Sequence, residues 1–172
     1  SNVDAITFTG ETVTGEAIMK NAAIGIRDVS FELGGKNPAI VFADCDIDKA
    51  IEGTNRSVFA NCGQVCLGTE RVFVERSIFK EFVSKLKEAA QNHVCGRPES
   101  DSTTLGPLIS KEHRDKVLSY YKAAVEGGAT VVVGGGIPEL DSSLEGGAWI
   151  EPTIWTDLED GHPVTTEEIF GP

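Results

Sequence analysis

The segment from Asn37 to Phe42 is a run of mostly apolar residues that begins just after two glycines. An unbroken apolar run of this length is typical of a strand buried on both faces, as in a parallel sheet. Strand-like and helix-like segments alternate along the rest of the chain, which predicts strands at 5–9, 29–33, 71–75, 130–133 and 150–155 and helices at 11–23, 47–60, 78–90 and 111–126. This alternation predicts an α/β protein built on a parallel sheet.

Short polar side chains stand where three of the predicted helices begin. Asp46 or its neighbour, Ser77 and Ser110 each precede a helical segment and can accept a hydrogen bond from its first free N–H groups. The last predicted strand contains Pro152, which has no N–H to donate. We therefore expect that strand at an edge or with an irregular course.

The chain of 172 residues carries a formal net charge of −12. Nucleic acids and anionic membrane surfaces attract basic patches, so this charge argues against both as partners. No apolar run approaches the roughly 20 residues that a membrane-spanning helix needs. The four cysteines of this acidic chain are expected to be reduced thiols, and we expect a cytoplasmic protein.

Two glycine-containing turns each carry a side chain that can do chemistry. In Phe31–Pro38, the carboxylate of Glu32 is closely followed by two glycines, where the backbone can lie near a ligand. In Asn61–Cys66, a thiol follows a glycine turn and precedes a strand. A carboxylate and a thiol can act as a general base and a nucleophile, although each turn alone is common in proteins that are not enzymes.

Taken together, the two turns resemble the catalytic signatures of the aldehyde dehydrogenase superfamily, in the glutamate motif at 32–36 and the cysteine motif at 63–66. Three further segments agree with that family in order and spacing: Thr7–Gly10, Gly106–Leu108 and Glu167–Pro172. The resemblance covers essentially the whole chain. The segment Phe59–Arg71 looks most like the 2-hydroxymuconic semialdehyde dehydrogenases.

The resemblance implies the fold of the central part of such an enzyme. Residues 1–33 would be the C-terminal piece of a Rossmann-like NAD-binding domain, and residues 34–172 an incomplete, parallel-sheet catalytic domain. The full-length protein would then be longer than this chain and a homo-oligomer. The chain on its own would be inactive.

The resemblance also implies a reaction, in which a small-molecule aldehyde is oxidised to a carboxylic acid with NAD as the cofactor. Cys66 would attack the aldehyde to give a thiohemiacetal and then a thioester. Glu32 would activate the water that releases the acid, or deprotonate the thiol earlier. The residues implied to contact the cofactor are Thr9, Gly10, Leu33, Gly34, Glu168 and Phe170. At Glu11 the family usually has a serine, so we expect this carboxylate to open the following helix rather than to contact phosphate.

Several alternatives stay open. Cys62 competes with Cys66 as the nucleophile, although a small buried thiol is the ordinary interpretation of a cysteine there. Cys62, Cys66, Cys95 and His93 could instead bind a metal, but their spacing does not match paired zinc ligands. None of the three histidines has a partner at a catalytic spacing. The substrate could be an amino or betaine aldehyde, and NADP could replace NAD. From another class, the chain could be a catalytically silent interaction or metal-binding domain.

Overall fold

A computed structural model describes residues 2–172. The chain packs as two compact units, Ser1–Gly35 and Lys36–Pro172. The assignment of residues 1–33 to a cofactor-binding domain and of residues 34–172 to a catalytic domain stays a prediction. We describe each unit by itself.

The smaller unit is a strand–helix–strand segment that consists of β1 (Ala5–Thr9), α1 (Thr12–Ala23) and β2 (Asp28–Glu32). The two strands pair in parallel, with Thr9 opposite Glu32. A parallel pair needs a crossover connection, which α1 provides. The backbone N–H of Gly10 donates to the Glu32 carbonyl at 3.1 Å, so the turn after β1 is tied to the end of β2.

A buried glycine lets α1 pack on the end of β2. Gly15 is buried, and a Cβ at this position would lie 2.8 Å from the Leu33 side chain. Glu11 occupies the N-cap position in an extended conformation, as expected for a residue that opens the helix.

The larger unit continues the alternation of strands and helices, in the order β3 (Asn37–Val41), α2 (Ile47–Phe59), β4 (Thr69–Val74), α3 (Phe79–Gln91), α4 (Lys111–Glu126), β5 (Thr130–Val133), β6 (Ile154–Thr156) and α5 (Pro163–Thr166). Short 3₁₀ turns lie at Ala60–Gly63 and Ser142–Leu144. Within residues 2–172, no helix is long and apolar enough to cross a membrane.

The strands of the larger unit pair in two different ways. Strands β3 and β4 are parallel, with Val41 opposite Val74, and α2 makes the crossover. Strands β5 and β6 are antiparallel, with Val131 opposite Trp155, so this pair departs from the predicted parallel sheet. Residues 134–153, which connect β5 to β6, form a loop with one 3₁₀ turn and no other helix or strand. Without a crossover helix, the chain returns in the opposite direction.

Two clusters of buried side chains form the core of the larger unit. The first cluster lies on one face of β3 and β4 and contains Val41, Ile51, Phe82 and Leu86. The second cluster is built around α4 and includes Cys62, Leu105, Val117, Tyr121, Ile150 and Ile169. The second cluster positions the candidate site, because it joins the cysteine-bearing turn to the end of the chain.

The apolar run at 37–42 is buried on one face only. Val41 is 7% exposed, whereas Ile40 and Phe42 are 65% and 63% exposed. Ile40 pairs with Phe73 of β4, which is also exposed. The expectation of a strand buried on both faces is therefore wrong for this chain, because the first cluster covers only the Val41 side.

Two of the three predicted helix caps are present. Asp46 and Ser110 each accept a hydrogen bond from the N–H three residues further on, at 3.3 and 3.1 Å. The prediction is wrong for Ser77, because α3 begins later and has Ile78 at its N-cap. The Ser77 hydroxyl donates instead to the nearby carboxylate of Glu75 at 3.0 Å, an alternative that short polar side chains often take.

Candidate active site

The thiol loop, residues 61–68, begins with three successive residues at positive φ. The φ angles of Asn61, Cys62 and Gly63 are 50°, 58° and 70°. This left-handed conformation suits glycine and costs on the order of 1–3 kcal/mol at other residues. The surrounding contacts must therefore stabilise the turn that leads from α2 to the thiol.

Side-chain amides hold this turn in place. The Asn61 amide donates to the Gln64 carbonyl at 3.0 Å, and the Gln64 amide donates back to the Asn61 carbonyl at 3.2 Å. The side-chain oxygen of Gln64 also accepts from the Ile109 N–H at 3.0 Å. The loop is thus tied both to itself and to the segment that follows the Gly106–Leu108 motif.

Cys66 stands three residues before β4 on an anchored piece of backbone. The side-chain amide of Asn37, at the start of β3, donates to the carbonyls of Cys66 and Gly68 at 2.7 and 3.0 Å. Cys66 itself is only partly buried, and the neighbouring Leu67 is exposed. The loop therefore presents a partly accessible thiol in a fixed position, which suits a nucleophile.

Cys62 lies in the opposite kind of environment. It is 6% exposed and belongs to the second core cluster, and its thiol donates to the Gly106 carbonyl at 3.0 Å. Burial raises the pKa of the Cys62 thiol. Because the thiolate is the nucleophilic form, these contacts favour a packing role for Cys62. The choice of Cys66 over Cys62 stays a prediction.

Cys95 and His93, which are candidate metal ligands together with Cys62 and Cys66, make contacts within the fold. Cys95 packs against the second core cluster, and burial raises the pKa of its thiol. The two ring nitrogens of His93 lie 3.1 Å from the Thr104 hydroxyl and 3.2 Å from the Asn55 side-chain oxygen. Over the described range 2–172, no group of three or more His, Cys, Asp or Glu side chains is arranged to hold a metal ion.

The backbone of Phe170 is held in a strained conformation from both sides. Its φ is 61°, and its N–H and that of Ile169 lie 3.3 and 3.2 Å from the Glu70 carboxylate. Its carbonyl accepts from Nε2 of His113 at 2.6 Å. The His113 and Phe170 rings also meet edge to face, with centroids 6.0 Å apart. These contacts fix the backbone of Phe170, a predicted cofactor ligand that lies two residues after Glu168, another one.

The thiol loop packs directly against the segment 168–172. A Cβ at Gly63 would overlap the backbone of Gly171, and a Cβ at Gly171 would lie 2.7 Å from Val117. The carbonyl of Pro172 accepts from the Tyr121 hydroxyl, which fastens the segment to α4. The structure therefore brings the loop of Cys66 alongside the predicted cofactor ligands Glu168 and Phe170.

Lys36 is part of the scaffold around these two segments. Its ammonium group forms an ion pair with Glu70, and the two side chains are 8% and 15% exposed. The Arg71 guanidinium donates to the Lys36 carbonyl at 2.8 and 3.0 Å. Burial lowers the pKa of Lys36, while the hydrogen bond to Glu70 acts in the opposite direction.

In the smaller unit, the remaining predicted site residues meet at one edge of the strand pair. Thr9 and Glu32 end the two parallel strands, and Gly10, Leu33 and Gly34 come directly after them. Ligands of parallel α/β sheets bind beyond this edge, and the free N–H groups that open a helix such as α1 favour phosphate. The edge therefore fits a dinucleotide, and the Glu32 side chain is exposed there.

Three residues hold the candidate site through contacts that the sequence does not predict, namely Asn37, Glu70 and His113. Their contacts reach backbone groups 29, 100 and 57 positions along the chain. No local pattern signals a contact of that range. The sequence signal for Asn37 and Glu70 is their position inside segments that resemble the family.

Known sequences relate the whole chain to one family. Residues 1–172 match the family model described as "Aldehyde dehydrogenase family". The chain is 68% identical to a 2-hydroxymuconic semialdehyde dehydrogenase of Pseudomonas sp. (strain CF600) and 52% identical to a 2-aminomuconic 6-semialdehyde dehydrogenase of Pseudomonas sp.. Each match covers 99% of this chain and 35% of the relative. The chain thus spans about a third of the length of these curated relatives.

Solved structures give the same relationship. The fold is similar to that of a betaine aldehyde dehydrogenase from Staphylococcus aureus, solved in complex with NAD+. The TM-score is 0.95 at 39% sequence identity, over 99% of this chain and 34% of that one. The α/β architecture predicted from the sequence is thus confirmed.

Proposed function

Because this chain belongs to the aldehyde dehydrogenase family, we propose that it is part of an NAD-dependent enzyme that oxidises an aldehyde to a carboxylic acid. One observation carries the proposal. The partly accessible thiol of Cys66 stands on an anchored loop that packs, through Gly63, against Gly171 in the segment 168–172. The proposed nucleophile and the proposed cofactor ligands Glu168 and Phe170 therefore belong to neighbouring segments of one unit.

The substrate that we propose is 2-hydroxymuconic semialdehyde, an intermediate of aromatic compound breakdown. The 68% identity to a dehydrogenase named for that aldehyde supports this choice over an aminomuconic or betaine aldehyde. A dehydrogenase named for the first is 52% identical, and two named for the second are 43% and 39% identical. Since the chain spans about a third of its relatives, we propose that the active protein is longer and a homo-oligomer. A cytoplasmic location is in keeping with its free cysteines.

The cofactor that we propose is NAD. Thr9, Gly10, Leu33 and Gly34 would hold it at the carboxyl ends of β1 and β2, where N–H groups of α1 favour phosphate. In the larger unit, Glu168 and Phe170 would hold its nicotinamide half. When bound, NAD supplies the hydride acceptor that turns an aldehyde adduct into a thioester.

Cys66 begins the chemistry as the nucleophile. Its thiolate adds to the aldehyde carbon, and the carbonyl oxygen becomes an oxyanion in a thiohemiacetal. The Cys66 backbone N–H is the donor that this chain offers to the oxyanion, and donors fixed in advance stabilise such charge best. The hydrogen bonds from Asn37 to the carbonyls of Cys66 and Gly68 support this role, because they hold that backbone in place.

Glu32 completes the chemistry as the general base. Oxidation leaves an acyl group on the Cys66 sulfur, and water must then attack its carbonyl carbon. The Glu32 carboxylate takes a proton from this water as the water oxygen bonds to the acyl carbon. The C–S bond then breaks, the acid leaves, and the proton passes from Glu32 to the released thiolate, which restores both groups. The exposed position of Glu32 at the end of β2 supports this role, since a base must reach solvent-derived water.

The function is tested with the intact protein that contains this chain. We expect NADH formation with NAD and 2-hydroxymuconic semialdehyde, at a higher kcat/KM than with betaine aldehyde or with NADP. Cys66→Ala should abolish turnover, because the covalent step needs the thiol. Cys62→Ala is the matched control and should keep most of the activity. Turnover by the Cys66 variant, or its loss in the Cys62 variant alone, would contradict the proposal.

A further inference from the structure

The carboxylate of Glu70 lies inside the larger unit and joins three separate segments of the chain. It forms an ion pair with Lys36 and accepts hydrogen bonds from the N–H groups of Ile169 and Phe170 at 3.2 and 3.3 Å. A largely buried charge is tolerated only when it is paired and hydrogen-bonded. Lys36 neutralises the carboxylate, and the two N–H groups bind to its two oxygens.

The two N–H groups belong to a stretch of backbone that includes one residue in an unfavourable conformation. Phe170 has a φ of 61°, which is unfavourable for an aromatic residue. Glu70 holds the N–H of this residue, and His113 holds its carbonyl at 2.6 Å. A hydrogen bond to an ionised acceptor is stronger than a neutral one of the same length, so Glu70 helps to hold this peptide.

We infer that Glu70, neutralised by Lys36, is a positioning residue of the cofactor site, which sets the backbone from which Glu168 and Phe170 contact NAD. This inference rests on the proposed function, in which those two side chains hold the nicotinamide half of the cofactor. Glu70 contacts Lys36 and the N–H groups of Ile169 and Phe170, so it acts through the segment 168–172. Its loss should weaken NAD binding more than it changes the reactivity of Cys66.

The variants are made in the intact protein. Glu70→Ala removes the acceptor for both N–H groups, whereas Glu70→Gln keeps one acceptor oxygen and removes the charge. Glu88→Gln, at an exposed carboxylate on α3, is the control. The dissociation constant of NAD is measured by calorimetry, and the rate of Cys66 alkylation by iodoacetamide is measured without NAD. Circular dichroism checks the fold.

We expect Glu70→Ala to raise the dissociation constant of NAD about tenfold or more, because hydrogen bonds to a charged group are lost. Glu70→Gln should show a smaller rise, and both variants should alkylate Cys66 at nearly the parent rate. If Glu70→Ala does not fold, Glu70→Gln alone decides the matter. Unchanged NAD binding in a folded variant, or an equal loss of thiol reactivity, would overturn the inference and leave the proposed function standing. A parent protein that does not bind NAD would overturn both.

Discussion

At the scale of single residues, burial separates two thiols that lie four positions apart. Cys62 is enclosed by the second core cluster and donates to the Gly106 carbonyl, while Cys66 stays partly accessible on a backbone held by Asn37. The sequence places both cysteines beside a glycine turn. Burial of Cys62, the ordinary interpretation of a cysteine at that position, is confirmed by its exposure of 6%. The left-handed backbone angles at Asn61 and Cys62 that turn this thiol into the core cannot be read from the sequence.

The environment of Cys62 leads to a prediction about stability and pH. Burial raises the pKa of Cys62 above its ordinary value of 9.0. Below that value the thiol is protonated in both states. Between that value and the raised pKa the unfolded chain has lost the proton and the folded chain has not. The free energy of unfolding therefore falls as the pH rises, by at most about 1.4 kcal/mol per pH unit.

Comparison with Cys62→Ala isolates this effect, since other titrating groups are common to both proteins. We expect the parent to lose stability relative to the variant as the pH rises above the ordinary thiol pKa, and urea unfolding at several pH values measures the difference. A stability difference that stays constant with pH would show that the Cys62 thiol ionises alike in both states.

At the scale of elements, the left-handed turn at 61–63 is the feature on which the site depends. It ends α2, turns the chain towards Cys66 and brings Gly63 against the backbone of Gly171. Glycine is required here for two reasons, the positive φ of 70° and the absence of space for a Cβ. A substitution at Gly63 should therefore disturb both the thiol loop and the segment 168–172.

We predict that Gly63→Ala destabilises the protein by about 3 kcal/mol or more and removes most activity, because strain and overlap combine. Gly128→Ala is the matched control, since Gly128 has a φ of 90° and open space around a Cβ. It should cost only about 1–2 kcal/mol and leave activity intact. Thermal unfolding and NADH formation measure the two effects. Equal losses in both variants would mean that close packing of Gly63 on Gly171 is unimportant.

Element order follows from the sequence except for α5, which no predicted segment covers, and the pairing of the elements follows only in part. Apolar periodicity and glycine turns locate the strands and helices to within a few residues, and Asp46 and Ser110 cap helices as predicted. The antiparallel course of β6 depends on how the connection 134–153 folds back, and no pattern in that loop reveals it. Ser77 does not cap α3 because the helix begins one residue later, with Ile78 at the N-cap.

At the scale of the whole molecule, one face of β3 and β4 is apolar and exposed. Ile40, Phe42 and Phe73 are 65%, 63% and 48% exposed, although their segment has the composition of a buried strand. The motifs identify the family over the whole chain, yet the chain spans about a third of its relatives. The motifs therefore reveal the family, whereas the exposure of this apolar face is known only from the structure.

In the proposed mechanism, Cys66 carries the substrate as a thioester and Glu32 activates the water that releases it. In the intact protein, Glu32→Gln should slow hydrolysis more than oxidation, so that a burst of NADH precedes slow turnover. The direct measurement is mass spectrometry of this variant, quenched in acid during the burst and digested. We predict that the peptide with Cys66 gains the mass of one acyl group, in an amount equal to the burst. An acyl group on Cys62, or a burst without any acylated cysteine, would contradict the account.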